Sequence, residues 1–186
     1  MIPGGSIRLR AIELDDLPRY VTWLNDPEVI RTLSLFHPFS LEDEKAWFEA
    51  IQQQEPTSRP MAIDASLDGD WVHIGSCGLI NINARVGHAE LGIAIGDKKF
   101  WDQGLGTDAI QTLLRHSFET LNLRKIYLRV FEYNDRGKHL YTKLGFVEEG
   151  RLRDDEYRDG RYWDTFLMGI MKSEWEDRQP KSGKEA

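Results

Sequence analysis

The feature that most limits the folds open to this chain is a turn with two glycines, set between a strand and a helix. His88 to Gly96 reads as a strand. A loop then leads through Trp101-Asp102-Gln103-Gly104-Leu105-Gly106-Thr107 into a stretch with helical spacing at Leu105, Ile110, Leu113, Leu114, Phe118 and Leu121. Glycine lets the backbone turn sharply and approach a ligand closely. The first amides of a helix have no intrahelical partners, and with the helix dipole they form a seat for a phosphate or pyrophosphate. The competing reading is a glycine turn with structural use only. The lysine and hydroxyl residue of a Walker loop and the three-glycine dinucleotide pattern are both missing, so neither common phosphate motif applies.

Around this turn the pattern alternates strands and helices. Ser6 to Ala11 predicts a first strand. Asp15 and Asp16 open an amphipathic helix with Leu17, Tyr20, Val21 and Leu24, and Asn25-Asp26-Pro27 breaks it. Ser40, with Asp43 three residues on, caps a second helix through Trp47, Phe48 and Ile51. Met61 to Leu67 and Trp71 to Ile82 read as strands joined by Asp68-Gly69-Asp70. After the helix over 104–121, Lys125 to Phe131 alternates as a strand. Asn134 to Leu144 is a short helix closed by Gly145. Phe146 to Tyr157 and Arg161 to Ile170 form a last hairpin, and a short helix follows. Long hairpins with one strand-helix-strand unit predict an α/β (α+β) fold: a mixed, mostly antiparallel twisted sheet of six to seven strands flanked by about four helices.

A length of 186 residues fits one domain, expected over residues 1–177, with a polar tail over 178–186 expected to fray. The 40% hydrophobic and 11% aromatic content supports a folded core, not disorder. A net charge of −7 disfavours general nucleic-acid binding; it either steers cationic partners or simply aids solubility. The single cysteine, Cys77, excludes an internal disulfide and a Cys-cluster zinc site, so no metal is expected, and it fits a reducing, cytoplasmic setting. No apolar run approaches the roughly 20 residues of a membrane span, and Met1 to Arg10 lacks an apolar signal core.

The glycine turn does not stand alone. Strand, turn, helix and strand, followed by Asn134 and then Tyr141-Thr142-Lys143-Leu144-Gly145-Phe146, resemble the core of the GNAT acetyltransferases over roughly residues 6 to 175. In the family the turn reads Arg or Gln, two residues, Gly, one residue, Gly or Ala. Gly104 and Gly106 match, and Trp101 stands at the Arg/Gln position, as in the subgroup of ribosomal-protein N-terminal (Rim-type) and spermidine acetyltransferases. The resemblance implies acetyl-CoA as co-substrate, with its pyrophosphate on the backbone amides of Gln103, Gly104, Leu105, Gly106 and Thr107. It implies pantetheine contacts along Ile93, Ala94 and Ile95, and a cofactor contact from Asn134. On residues alone Asn134 reads equally as a helix N-cap. The family often dimerises, so a homodimer is an expectation.

Acetyl transfer to an amine needs a neutral amine, a polarised carbonyl, an accommodated thiolate and alignment, but no protein nucleophile. Cys77, on an early strand, reads as a small core residue. Glu90, on the strand leading to the turn, could accept the amine proton directly or through water, or be an ion-pair partner; His88 is its rival. Tyr141 matches the family tyrosine near the thioester sulfur and could protonate the thiolate; alone it reads as a packing aromatic. Phe131 and Tyr133 read as packing residues. The acceptor pocket is expected from residues 15–55 and the last hairpin, with Trp23, Asn25, His37, Tyr157 and Trp163 as candidate linings.

The leading expectation is an enzyme that acetylates a protein N-terminal α-amine or a small amine. The alternatives are a catalytically inactive acyl-CoA sensor, acetylation of a polyamine, amino sugar or aminoglycoside, and, last, a nucleotide-binding module.

Overall fold

The computed structural model describes residues 1–179. Arg178 and Gln179 of the expected tail fall within it, while 180–186 lie outside the described residues. Among the described residues eight strands form one sheet in the order β1-β2-β3-β4-β5-β6-β8-β7. They are β1 (Ile2–Pro3), β2 (Ile7–Ala11), β3 (Met61–Leu67), β4 (Asp70–Asn83), β5 (His88–Ile95), β6 (Lys125–Phe131), β7 (Val147–Arg158) and β8 (Arg161–Met171). Only β5 and β6 pair in parallel; every other neighbouring pair is antiparallel. The strand count exceeds the expected six to seven because β1, two residues long, is too short to show a period.

Among the described residues six α-helices accompany the sheet: α1 (Leu17–Leu24), α2 (Pro27–Ile30), α3 (Leu41–Gln52), α4 (Leu105–Arg115), α5 (Asp135–Leu144) and α6 (Lys172–Asp177). Pro27 both ends one helix and begins the next. Asp26 accepts from the Glu28 amide as N-cap, and proline at N1 is pre-set for a helix start, so α2 follows where only a break was expected. Ser40 caps α3 with Asp43 completing the box. The helix expected over 104–121 ends at Arg115 and continues as a π-turn over His116–Thr120, where the Ser117 hydroxyl donates to the Leu113 carbonyl at 2.7 Å.

Alternation along β3 divides the helices between two faces. Ile63 and Ala65 join Leu105, Ile110, Leu113, Leu114, Phe118 and Trp175 in the main core, which α4, α5 and α6 cover. Ala62 points the other way, into a smaller cluster with Leu17, Tyr20 and Ile51 under α1 and α3. Each fully buried side chain such as Phe118 contributes roughly 1.5–3 kcal/mol relative to exposure. The main core therefore holds α4 rigidly, and with it the glycine turn at its start.

Candidate active site

The site begins where the sheet comes apart. β5 pairs with β6 only over His88–Glu90 against Lys125–Tyr127. Beyond that point β5 stays held by β4 as far as Ile95, and β6 by β8 as far as Phe131. The two inner edges diverge while their outer edges remain fixed. A cleft of about 450 Å³ opens here, walled on one side by Ile93, Ala94 and Ile95 and floored by Gly104 to Thr107. Asn134, Gly137 and Leu140 of α5 and its cap close the opposite side.

The backbone supplies most of this wall. Peptide groups alternate between the two edges of a strand, and Gly96 donates to Ile74 across β4. Ile93 and Ile95 therefore turn their peptides to the open edge, whereas Ala94 lines the cleft with its peptide turned to β4. Trp101 accounts for its own departure from the family pattern. Its indole Nε1 donates to the Ile95 carbonyl at 2.8 Å, tying the end of β5 to the turn. The Arg136 guanidinium lies 4.7 Å from its ring centroid and pairs with Asp102 at 3.2 Å.

At the turn, Gly104 is the left-handed N-cap of α4, with φ +80°, and a Cβ there would meet nothing within 4 Å. The first helical bond runs from the Asp108 amide to the Gly104 carbonyl. The amides of Leu105, Gly106 and Thr107 precede it and have no helical partner. Gly106 lies 3.9 Å, measured from an added Cβ, from Ile95 and Leu140, so the floor is close-packed yet open. Asp108 sits just inside the helix, where its charge would oppose a phosphate, but its carboxylate is occupied elsewhere. It accepts from the amides of Gly5 and Ser6.

Asn134 has a structural role and a place at the opening. It caps α5 by accepting from Gly137 N at 2.9 Å, and it lines the cleft. Tyr141 lies one residue past Leu140, half-buried against the main core and edge-on to Phe146 at 5.9 Å. Burial pushes its phenol up to about 12, so it is protonated at neutral pH, as an ordinary phenol is, and a weaker acid than one in water; Tyr141 itself stands outside the cleft lining. Gln103 stands outside the cleft lining, with its side-chain amide on the Lys99 carbonyl at 2.6 Å.

Glu90 is the last paired residue of β5 before the strands part. It is 8% exposed, and its neighbours Ala89 and Leu91 point into the main core, so its side chain lies on the other face. Asn81 donates to one carboxylate oxygen at 2.9 Å, and Arg129 Nε stands 3.5 Å from the other. It is at the apex of the fork, not in the cleft lining. His88 packs edge-on to Tyr127 at 5.7 Å, two residues further from the opening. Cys77 is buried, and burial pushes its thiol up to about 12, which leaves it unsuited to act as a nucleophile.

The other end of the cleft is lined by Glu28, Val29, Arg31 and Thr32, which fall within 15–55, and by Tyr133. Tyr133, expected only to pack, is a cleft residue; it stacks on Phe131 and meets Trp163 edge-on. Asn25 instead pins Phe39 through both its amide groups, and Trp23 packs over Gly96. Neither they nor His37, Tyr157 and Trp163 belong to the lining. Among the described residues no group of three or more His, Cys, Asp or Glu could hold a metal ion, and no helix is long and apolar enough to cross a membrane.

The parted strands and the unpartnered amides at the start of α4 leave room for an extended ligand with an anionic end, the arrangement of a protein that binds a nucleotide-linked group. The family follows from the sequence itself, since residues 6–147 match the acetyltransferase (GNAT) domain, and the chain belongs to that family. It is similar to the spermidine N(1)-acetyltransferase of Vibrio cholerae, 33% identical over 175 residues, which cover 94% of this chain and 98% of that one. The [ribosomal protein uS5]-alanine N-acetyltransferase of Escherichia coli K12 is 29% identical over 103 residues, 55% of this chain and 53% of that one. The crystal structure of the Vibrio cholerae spermidine N-acetyltransferase in complex with CoA and spermine superposes with a TM-score of 0.83 at 29% identity. That match covers 91% of this chain and 98% of the other. The protein is an acetyl-CoA-dependent N-acetyltransferase.

Proposed function

We propose that the protein transfers the acetyl group of acetyl-CoA to a primary amine by direct attack in the cleft, the acceptor being a protein N-terminal α-amine or a small amine. The observation that carries this reading is the parting of β5 and β6 after three paired residues, which frees a strand edge beside a helix start. The free amides of Leu105, Gly106 and Thr107 suit a pyrophosphate, with Gly104 leaving open space above them. The outward peptides of Ile93 and Ile95 suit the amide-bearing pantetheine arm, and Asn134 stands across from them. Acetyl-CoA supplies the activated thioester when bound. Tyr141, which matches the family tyrosine and follows the cleft-lining Leu140 on α5, gives a proton to the leaving sulfur as charge grows there. Glu90 receives the amine proton through water; both of its oxygens already have partners, so direct abstraction is the poorer route. The amine enters between α2 and Tyr133.

Charge favours one kind of acceptor. At pH 7, deprotonating an amine of lysine type costs about 4.6 kcal/mol, against about 1 kcal/mol for an α-amine. The named substrates of the relatives above include both a polyamine and a protein alanine. Release of free thiol should be followed with acetyl-CoA and a panel of N-terminal peptides, polyamines, amino sugars and aminoglycosides. The rate is expected to rise with pH across the neutral range, levelling near pH 8 for an α-amine and continuing upward for a polyamine. Thiol release no faster than hydrolysis with every amine, alongside measurable acetyl-CoA binding, would favour the inactive sensor. A flat profile from pH 6 to 9, with chemistry rate-limiting, would contradict the need to deprotonate the acceptor.

A further inference from the structure

The wall at the acceptor end has little regular structure of its own. α2 is four residues long, and turns and bends carry the chain from there to α3 at Leu41. Helix ends leave carbonyls without partners. Here three carbonyls of this segment converge on one side chain far away in sequence. Arg158, at the end of β7, donates from Nη1 to the Ile30 carbonyl at 3.3 Å. Its Nη2 donates to the Leu33 and Leu35 carbonyls at 2.9 and 3.4 Å. Nε is held by Glu156 Oε1 at 3.2 Å, so both terminal nitrogens are aimed at the segment. The guanidinium lies 5.2 Å from the centroid of the Phe36 ring.

This cluster is withdrawn from solvent, the Arg158 side chain being 13% exposed and that of Glu156 8%. Charge-assisted bonds of a planar fork are strong and direction-specific in such a setting. The fork thus ties the segment that carries Val29, Arg31 and Thr32 to the end of β7, while lying outside the cleft lining itself.

We infer that Arg158, aimed by Glu156, is a positioning residue for the amine: it fixes segment 30–35 and so sets the width of the acceptor end, without touching either substrate. The inference rests on reading the cleft as the place where acetyl-CoA and amine meet. It separates the two ends energetically, because the turn at Gly104 and the edge of β5 make no hydrogen bond to Arg158.

Arg158→Lys keeps the charge but cannot bond three carbonyls and a carboxylate with one ammonium. With the amine that the wild-type enzyme uses best, its KM for amine is expected to rise at least about tenfold. The kcat should fall less than about threefold and the affinity for acetyl-CoA should stay within about twofold. Glu156→Gln, which keeps an acceptor oxygen, should show the same split more weakly and covers the case of a poorly folded Arg158→Lys. In both variants, hydrogen exchange at the amides of residues 28–36 should quicken while that of 93–107 stays unchanged. An unaltered amine KM, an equal loss toward both substrates, or unaltered exchange over 28–36 would overturn the assignment. A wild-type enzyme without turnover would count instead against the functional reading, and the exchange data would still decide whether Arg158 fixes this wall.

Discussion

The two ends of the cleft are built in different ways. At the cofactor end, the groups facing the cleft are mainly peptides: helix-start amides at Leu105 to Thr107 and the outward edge of β5. These are fixed by φ and ψ and by the sheet register. At the acceptor end the cleft is lined by side chains of α2 and the turn after it and by Tyr133, and the placement of that turn depends on Arg158 reaching across to a segment 125 residues away at Leu33. A backbone wall serves any sequence that makes the same turn. A side-chain wall can be altered one residue at a time, so relatives can share a co-substrate while differing in acceptor.

The largest expected effect breaks the cofactor end alone. Gly104 has φ +80°, where a β-branched residue is strongly disfavoured, and the space above it is where a phosphate would approach. Gly104→Val is expected to weaken acetyl-CoA binding on the order of 100-fold, an effect of roughly 2.7 kcal/mol, in a protein that remains folded by circular dichroism. Calorimetry checks this; unchanged affinity in the folded variant would remove the turn from the site.

A smaller effect should appear in chemistry and not in binding. Tyr141→Phe keeps the contact with Phe146 and removes only the phenolic proton. A leaving thiol near pKa 8.5 departs tolerably well unaided, so kcat is expected to fall at least about tenfold, near the low end for general-acid help. Acetyl-CoA affinity should be nearly unchanged. Because burial raises the phenol to about 12, deprotonation of Tyr141 should not cut the rate anywhere from pH 6 to 9. A wild-type kcat with chemistry rate-limiting would return Tyr141 to packing.

The smallest effect probes a residue that belongs to the cofactor end and to the fold at once. Asn134→Ala loses the bond to the Gly137 amide. It should cost about 1 kcal/mol of stability, lowering Tm by roughly 2–4 °C in a domain of this size. If Asn134 also contacts the cofactor, acetyl-CoA affinity falls in addition. Asn134→Ser keeps a cap and should restore the Tm but not the affinity. Recovery of both by serine would leave Asn134 as a cap only.

The same contrast explains what could be read from the amino acids. β3 and β6 fall where their patterns put them, at Met61–Leu67 and Lys125–Phe131, because alternation is a local signal. Gly145 closes α5 in the left-handed conformation, as its position after Leu144 suggests. The glycine turn and the Asn134 cap are equally local. Arg136, stacked on Trp101, escaped notice because an arginine early in a helix looks like any solvated charge. Tyr133 escaped because packing and lining an opening use the same side chain. Arg158 carried no signal at all: its three carbonyl partners are backbone groups, and nothing in the residue types over 30–35 marks them as acceptors. Glu90 shows the converse limit. Position along a motif placed it near the site, but which way a side chain turns depends on the register and on neighbours such as Asn81 and Arg129.

The contrast between a backbone end and a side-chain end is tested most directly by following backbone amide resonances of the isotopically labelled protein as acetyl-CoA is added without amine. The largest shifts are expected at Gly104 to Thr107 and along Ile93 to Ile95, with residues 28–35 moving little until an amine is added. Shifts concentrated at residues 28–35 and Tyr133, with the turn amides unmoved, would contradict the placement of acetyl-CoA and the division of the cleft built on it.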